Sequence, residues 1–381
     1  MPSRLAIYVK SLRQLGFGPT SLYARYQLGL RSGYYRRASP MHAYQAEPLP
    51  PGCDLLEPLL RLPTPQSLES VLASQSASLL AEAAEISQGQ YRLFGGPPVP
   101  LELEIPSSLL PLRHWTAYAG YSTFADRDIK YIWEPARFGW AYPLARAYLL
   151  TAEDGYAQTF WSLAERFFAA HPPNSGPNWS SAQEVALRLL ALVFATQVFA
   201  ASPASTPARQ HLLAQVVAAH ARRLPLTLSY ARAQNNNHLL SEAAGLLTSS
   251  LALPRHPAAP RWRALSLKWL NQALQAQIDS TGEYAQHSTN YQRVMLHLAL
   301  WVQALLLASG SSLPPASIDK LALATRWLHT RLDVTSGQVP NLGANDGANL
   351  LPLAQTGFRD YRPVLQAASL AFLGRPLLPP G

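Results

Sequence analysis

The 381-residue chain predicts an all-α fold, an incomplete α/α toroid of antiparallel helical hairpins. Three observations carry this expectation. Segments near 136–152, 156–170, 180–200, 206–224, 238–251, 259–279, 289–309 and 315–332 each place Ala and Leu at helical spacing. The breakers between them are short (Asp154-Gly155, His171-Pro172-Pro173, Ser202-Pro203, Pro254, Ser280-Thr281-Gly282 and the run from Gly310 to Pro315), so neighbouring helices must pair antiparallel. No unit of about 33 to 47 residues recurs with a signature, which argues against an open solenoid and for a stack that closes around a cleft lined by helix entrances.

Ahead of these helices, apolar positions at Leu5, Tyr8, Val9 and Leu12, then Leu22, Tyr23, Tyr26, Leu28 and Leu30, alternate with basic residues. They predict a short N-terminal helical arm, interrupted between Gly16 and Pro19. Seven prolines between Pro40 and Pro65 mark a linker or a wrapped loop. A helix is expected over 67–87. A minor β-hairpin is expected next, between Tyr91 and Ile105, where Gly95-Gly96-Pro97-Pro98 precedes alternating Leu101, Leu103 and Ile105. The expected organisation is an arm and Pro-rich linker over 1–66, the toroid over 67–365, and a further linker over 366–381.

A hydrophobic content of 48% supports a full interior. The net charge of +9 arises with only 14% charged residues, so it reflects scarce acids rather than a dense basic tract. The arginines are scattered and no finger, zipper or RNA-binding signature organises them, which weighs against a nucleic-acid partner and suits another acidic polymer. Cys53 is the single cysteine, so an intrachain disulfide and a thiolate metal cluster are both excluded. No window offers the roughly 18 uninterrupted apolar residues of a spanning helix; Leu187 to Ala201 is broken by Arg188, Thr196 and Gln197. Residues 1–18 carry Lys10 and Arg13 and show no secretory h-region.

Four polar and aromatic clusters sit at helix entrances. Asn235-Asn236-Asn237-His238 opens the apolar helix from Leu239 to Gly245, where an asparagine caps the helix and outward N–H groups favour an anion. Trp133-Glu134-Pro135-Ala136-Arg137-Phe138-Gly139-Trp140 sets Arg137 between Trp133 and Trp140, which suits an acidic sugar: aromatic faces stack on rings and a guanidinium fork pairs with carboxylate. Asn178-Trp179 leads to Glu184 and Arg188, spaced i,i+4 as in a helix-surface ion pair. The run from Gly282 to Arg293 holds Tyr284 and Tyr291, phenols able to donate or accept a proton.

Together these clusters resemble the heparinase II/III and alginate lyase group of polysaccharide lyases. The resemblance lies in Asn-Asn-His-Leu-Leu-x-Glu-x-x-Gly at 236–245 and Gly-x-Tyr-x-x-x-Ser-x-x-Tyr at 282–291, supported by the runs at 133–140, 178–188 and 340–348. It covers roughly residues 110 to 365. It implies β-elimination on a uronate-containing glycan, in which a proton leaves C5 and the O4 bond breaks. By the family pattern Asn237 neutralises the sugar carboxylate, His238 assists or acts as base, and Tyr291 donates to O4 or takes the C5 proton. Asn236, Trp133, Arg137, Trp140, Trp179, Glu184, Arg188, Tyr284 and Arg293 are the expected substrate-binding residues.

The implied partner is an acidic polysaccharide, with no cofactor and no metal centre; oligomeric state is left open. In that family a C-terminal β-sandwich follows the toroid, so the chain ending at Gly381 is expected to be a fragment or a toroid acting alone. The compartment stays open, cytoplasmic by sequence and periplasmic or extracellular by resemblance. A non-catalytic glycan-binding or assembly protein is the alternative. A glycoside hydrolase ranks below elimination, because Glu134, Glu184, Glu242 and Glu283 form no evident pair.

Overall fold

The computed structural model describes residue 14 and residues 16–379, apart from 55, 73, 74, 121, 122, 125 and 126. The first half of the expected arm, including Leu5, Tyr8, Val9 and Leu12, lies outside the described residues. The helices in chain order are α1 Phe17–Arg31, α2 Tyr34–Ala38, α3 Pro65–Leu72, α4 Ser76–Ser87, α5 Lys130–Ala136, α6 Ala141–Thr151, α7 Asp154–Ala170 and α8 Ala182–Phe199. They continue with α9 Pro207–Arg223, α10 Leu228–Gln234, α11 Asn237–Ala252, α12 Ala259–Gln277, α13 Thr289–Ala308, α14 Pro315–His329 and α15 Arg362–Leu373.

The helices form two layers. α6, α8, α11, α13 and α15 pack side by side in that order as the inner layer. Each of the first four also packs against the helix that succeeds it on the outside: α7, α9, α12 and α14. Burial shows the same division. Sixteen of the eighteen residues of α8 and fourteen of the sixteen of α11 are buried, whereas α12 buries one stripe containing Trp262, Leu270, Ala273 and Leu274. Among the described residues, the two helices long and apolar enough to cross a membrane, Ala182–Phe199 and Thr289–Ala308, are inner-layer core helices. The architecture is an incomplete α/α toroid with a short helical arm.

Local signals account for the helix ends. Thr206 caps α9 with Pro207 at its first position, Asn236 caps α11, and Ser288 caps α13. Asn235 closes α10 with φ of 46° in the left-handed region, one of the few non-glycine positions where an asparagine is tolerated. Gly245 is needed for packing: a Cβ there would stand 2.9 Å from Leu224 and 3.0 Å from Ala186, so α8 and α11 approach closely at this point.

Several expectations are corrected. The helix foreseen over 67–87 is two helices, α3 and α4. The hairpin is confined to β1 Gln90–Tyr91 against β2 Val99–Pro100, antiparallel with Tyr91 opposite Val99; Leu101 and Leu103 are buried beyond the ladder. A second antiparallel pair, β3 Thr123–Phe124 with β4 Arg127–Asp128, was not foreseen. The Pro-rich segment wraps onto the toroid: the Glu57 N–H donates to the Ala252 carbonyl, and Gln197 accepts from the Leu59 N–H at 2.6 Å.

Between α14 and α15 the chain crosses the toroid without regular structure. This strap, residues 340–358, is held by side chains of helices α5, α6 and α13 and of Arg137 just beyond α5. Arg137 donates to the Gly347 carbonyl (3.2 Å), Arg146 to that of Pro352 (3.3 Å) and Arg293 to that of Phe358 (2.6 Å), while Asn290 donates to the carbonyls of Leu342 and Gly343.

Candidate functional site

The N-terminal turns of α8, α11 and α13 meet at one cavity of about 160 Å³. Glu184 enters from α8, Asn237 and His238 from α11 and Tyr291 from α13. Trp133 and Arg137 come from the α5 region, and Asp346 from the strap. Successive inner helices can share one end only if the outer helices between them run back, which is the antiparallel hairpin arrangement. A larger cavity of about 410 Å³ lies behind the strap beside Glu82 and Arg146, and among the described residues its lining includes none of Asn237, His238 and Tyr291.

Asn237 is buried, and its Nδ2 donates to Gln183 Oε1 at 2.7 Å. Gln183 Nε2 in turn reaches Glu184 Oε1 at 3.4 Å. Glu184 accepts from Arg137 Nε and Nη2 at 2.6 and 2.8 Å, and Arg137 Nη1 reaches Glu134 at 3.1 Å. One hydrogen-bonded chain thus runs from the Asn237 amide to the Arg137 guanidinium. Burial pushes the Glu184 carboxyl up, and the charge and hydrogen bonds of Arg137 more than reverse it, leaving it below the usual carboxylate value.

His238 is partly exposed to the cavity, and Asn236 Oδ1 accepts its backbone N–H at 3.0 Å. Burial brings its imidazole down to about 4; Glu184 opposes this and Arg137 adds to it. The ring is therefore neutral at neutral pH. The Tyr291 hydroxyl donates to Asp346 Oδ1 at 3.3 Å, and the other oxygen of Asp346 pairs with Lys130. Burial, then the charge of Asp346, raises the phenol to about 12, so it holds its proton across the neutral range.

The structure brings together Asn236, Asn237, His238, Tyr291, Trp133, Arg137 and Glu184. Arg137 lines the cavity with its guanidinium already engaged by Glu184 and Glu134. Five expected binding residues do not line it. Trp140 and Trp179 are fully buried, their indole N–H groups on the carbonyls of Pro135 and His171. Tyr284 is buried with its hydroxyl on Gln277.

Arg188 does not pair with Glu184. It is fully buried, stacked near Phe167 and Trp179, and donates to His220 and to the carbonyls of Ala136 and Asn178. Arg293 holds the strap and lies 4.4 Å from the Tyr361 ring. Arg188 and Arg293 sit on helices buried on nearly every side, and Trp140, Trp179 and Tyr284 lie in the connections before helices, packed into the core, so a polar run at a helix entrance does not reveal which members face the cleft. Lys130, Gln183, Gln286 and Asp346 also line the cavity and were not singled out in advance. Gln183, Gln286 and Asp346 lie within the motif runs, whereas Lys130 carries no sequence signal.

Comparison with known proteins is consistent with this geometry. A heparin-sulfate lyase of Bacteroides thetaiotaomicron is 25% identical over 169 residues, 44% of this chain and 24% of the lyase. The crystal structure of heparinase III superposes with a TM-score of 0.54 at 17% identity, covering 94% of this chain and 54% of that one. The chain thus spans about half the length of the heparinase III chain it matches. The sequence model of the Heparinase II/III N-terminus family matches residues 114–327, more than half of the chain, and the protein belongs to that family.

Proposed function

We propose that the chain is the toroid of a polysaccharide lyase that cleaves a uronate-containing glycan, of the glycosaminoglycan kind named for its relatives, by β-elimination. The observation that carries this reading is the convergence of Asn237, His238 and Tyr291 on one cavity. The C5 proton of a uronate is too weakly acidic while the neighbouring carboxylate keeps its full charge. The Asn237 amide, held by Gln183, hydrogen-bonds that carboxylate and stabilises the charge that moves onto it. The neutral His238 imidazole takes the C5 proton, the C4–C5 double bond forms as the C4–O4 bond breaks, and the Tyr291 phenol delivers its proton to O4. The imidazolium and phenolate then exchange a proton through solvent, restoring both groups. Their protonation states support these roles: a neutral base and a protonated acid coexist at neutral pH.

The test is ultraviolet absorbance from the unsaturated product when the purified chain meets heparan sulfate and other uronate polymers. Turnover is expected with the parent chain and absent with Tyr291→Phe. Equal turnover in that variant removes Tyr291 from its role. Binding of the polymer with no absorbance change in the parent chain favours a non-catalytic glycan-binding protein.

A further inference from the structure

The face beside the Asn corner carries cations without counter-charges. Arg232, on α10, sits over the Trp269 ring of α12 with its Cζ 3.8 Å from the ring centroid, and Lys268 Nζ approaches the same centroid at 5.0 Å. Burial and the nearby charge of Arg25 on α1 lower the Arg232 guanidinium below its ordinary value, with no acid offsetting them. Among the described residues no carboxylate pairs with Arg25, Arg232 or Lys268, and no side-chain hydrogen bond engages them. The stacked arginines Arg188, Arg223 and Arg293 differ, since each donates to backbone carbonyls.

An arginine stacked on an indole keeps its in-plane N–H groups free and aimed outward, a fork suited to carboxylate or sulfate. Gathering like charges is unfavourable unless an anion joins them.

The geometry points to a polyanion-binding ledge, formed by Arg232 and Lys268 at Trp269 together with Arg25 on α1, which packs against α10 with Tyr26 stacked on Tyr230, that holds the acidic glycan where it runs beyond the catalytic cavity. This rests on the lyase reading for the identity of the chain it holds. Position supports it. Arg232 lies just ahead of Asn235, and Gln277 at the end of α12 donates to Asn235 Oδ1 and to the Asn236 carbonyl. Trp269 is eight residues earlier on that helix, about 12 Å along its axis. The ledge, on α1, α10 and α12, thus adjoins the asparagine corner that opens α11 at the cavity, an arrangement in which a long chain reaches both and a short one does not.

The experiment measures binding of full-length heparan sulfate and of a short oligosaccharide prepared from it, in the full chain carrying Tyr291→Phe to prevent cleavage. Adding Arg25→Gln, Arg232→Gln and Lys268→Gln is expected to weaken the long chain about tenfold, the scale of one or two lost charge-assisted contacts. The dependence of affinity on salt becomes shallower as fewer ions are displaced, and the short oligosaccharide binds as before. Unchanged long-chain affinity and salt dependence overturn the ledge. An equal loss for duplex DNA or anionic phospholipid vesicles overturns its assignment to glycan. Arg232→Lys separates charge from fork: it keeps the fold and the charge, and long-chain affinity is expected to fall part of the way. In the unmutated chain, long-chain binding without unsaturated product sinks the elimination reading and leaves the ledge standing. Turnover of long and short substrates that the three substitutions do not alter does the reverse.

Discussion

Arg137 and Glu184, 47 residues apart in sequence, meet through two parallel N–H···O bonds of 2.6 and 2.8 Å at the wall of the cavity. Both side chains are largely withdrawn from solvent, at 13% and 2% exposure, so removing one leaves the other charge stranded. Arg137→Ala is expected to destabilise the fold by about 3 to 5 kcal/mol, the usual cost of breaking a buried pair. Denaturant unfolding checks this; a change below about 1 kcal/mol, with the glycan affinity alone reduced, returns Arg137 to a direct role in substrate binding.

Asn236 and Asn237 have separable duties. Asn236→Ala removes a cap and is expected to cost about 1 kcal/mol of stability. Asn237→Ala is expected to lower kcat by about a hundredfold or more, as loss of a donor to developing negative charge does. Parallel unfolding and turnover measurements distinguish the two; the reverse pattern exchanges their roles.

The pH profile of turnover derives from the base and the acid. His238 must be neutral and lies at about 4, while Tyr291 must be protonated and lies at about 12. Turnover is therefore expected to be flat through neutrality, falling only in acid well below the ordinary histidine value and in strong alkali. A fall centred near about pH 6.5 assigns the base to an exposed imidazole instead.

Stability has its own acid limit. His171 is lowered to about 4 and His297 to about 3 by burial, and His220 also lies well below its ordinary value. In the unfolded chain each titrates near about 6.5. As pH falls through that value the unfolded state takes up protons that the native state refuses, so stability is full above about 6.5 and is lost progressively toward about 3. The Leu350 N–H donates to His297 Nδ1 (3.3 Å), so protonation also releases the strap. Thermal unfolding across this range is expected to show a falling Tm, with a shallower slope in His297→Gln.

Gly347 is a backbone requirement of the site. Its φ is 77°, and a Cβ there would collide with Arg137 Nη1 and Glu134 Oε2. Gly347→Ala is expected to cost more than about 1 kcal/mol and to reduce turnover by displacing Asp346. Unaltered unfolding and kinetics in this variant exclude a fixed strap.

The inner helices α8, α11 and α13 were legible because each is long, apolar and opened by a Ser or Asn, signals that local chemistry enforces, whereas α15 was not among the predicted segments. The three catalytic candidates were legible from motif resemblance, and packing them into one cavity required the fold. Which arginines and tryptophans face the cleft was not legible: Arg188 and Arg293 satisfy backbone carbonyls from positions that pattern alone makes equivalent to Arg137. Lys130 and Asp346 stand 216 positions apart in sequence and meet only once the toroid has closed between them; no local pattern encodes that meeting.

The strap sets a lower limit on how far this protein can be trimmed. A truncation that kept every helix through α14 and discarded residues 330–381 would forfeit Asp346, and with it the carbonyls of Gly347, Pro352 and Phe358 on which three arginines rest. The helical scaffold and its crossing segment complete each other's hydrogen bonds, and a minimal version of the site has to retain both.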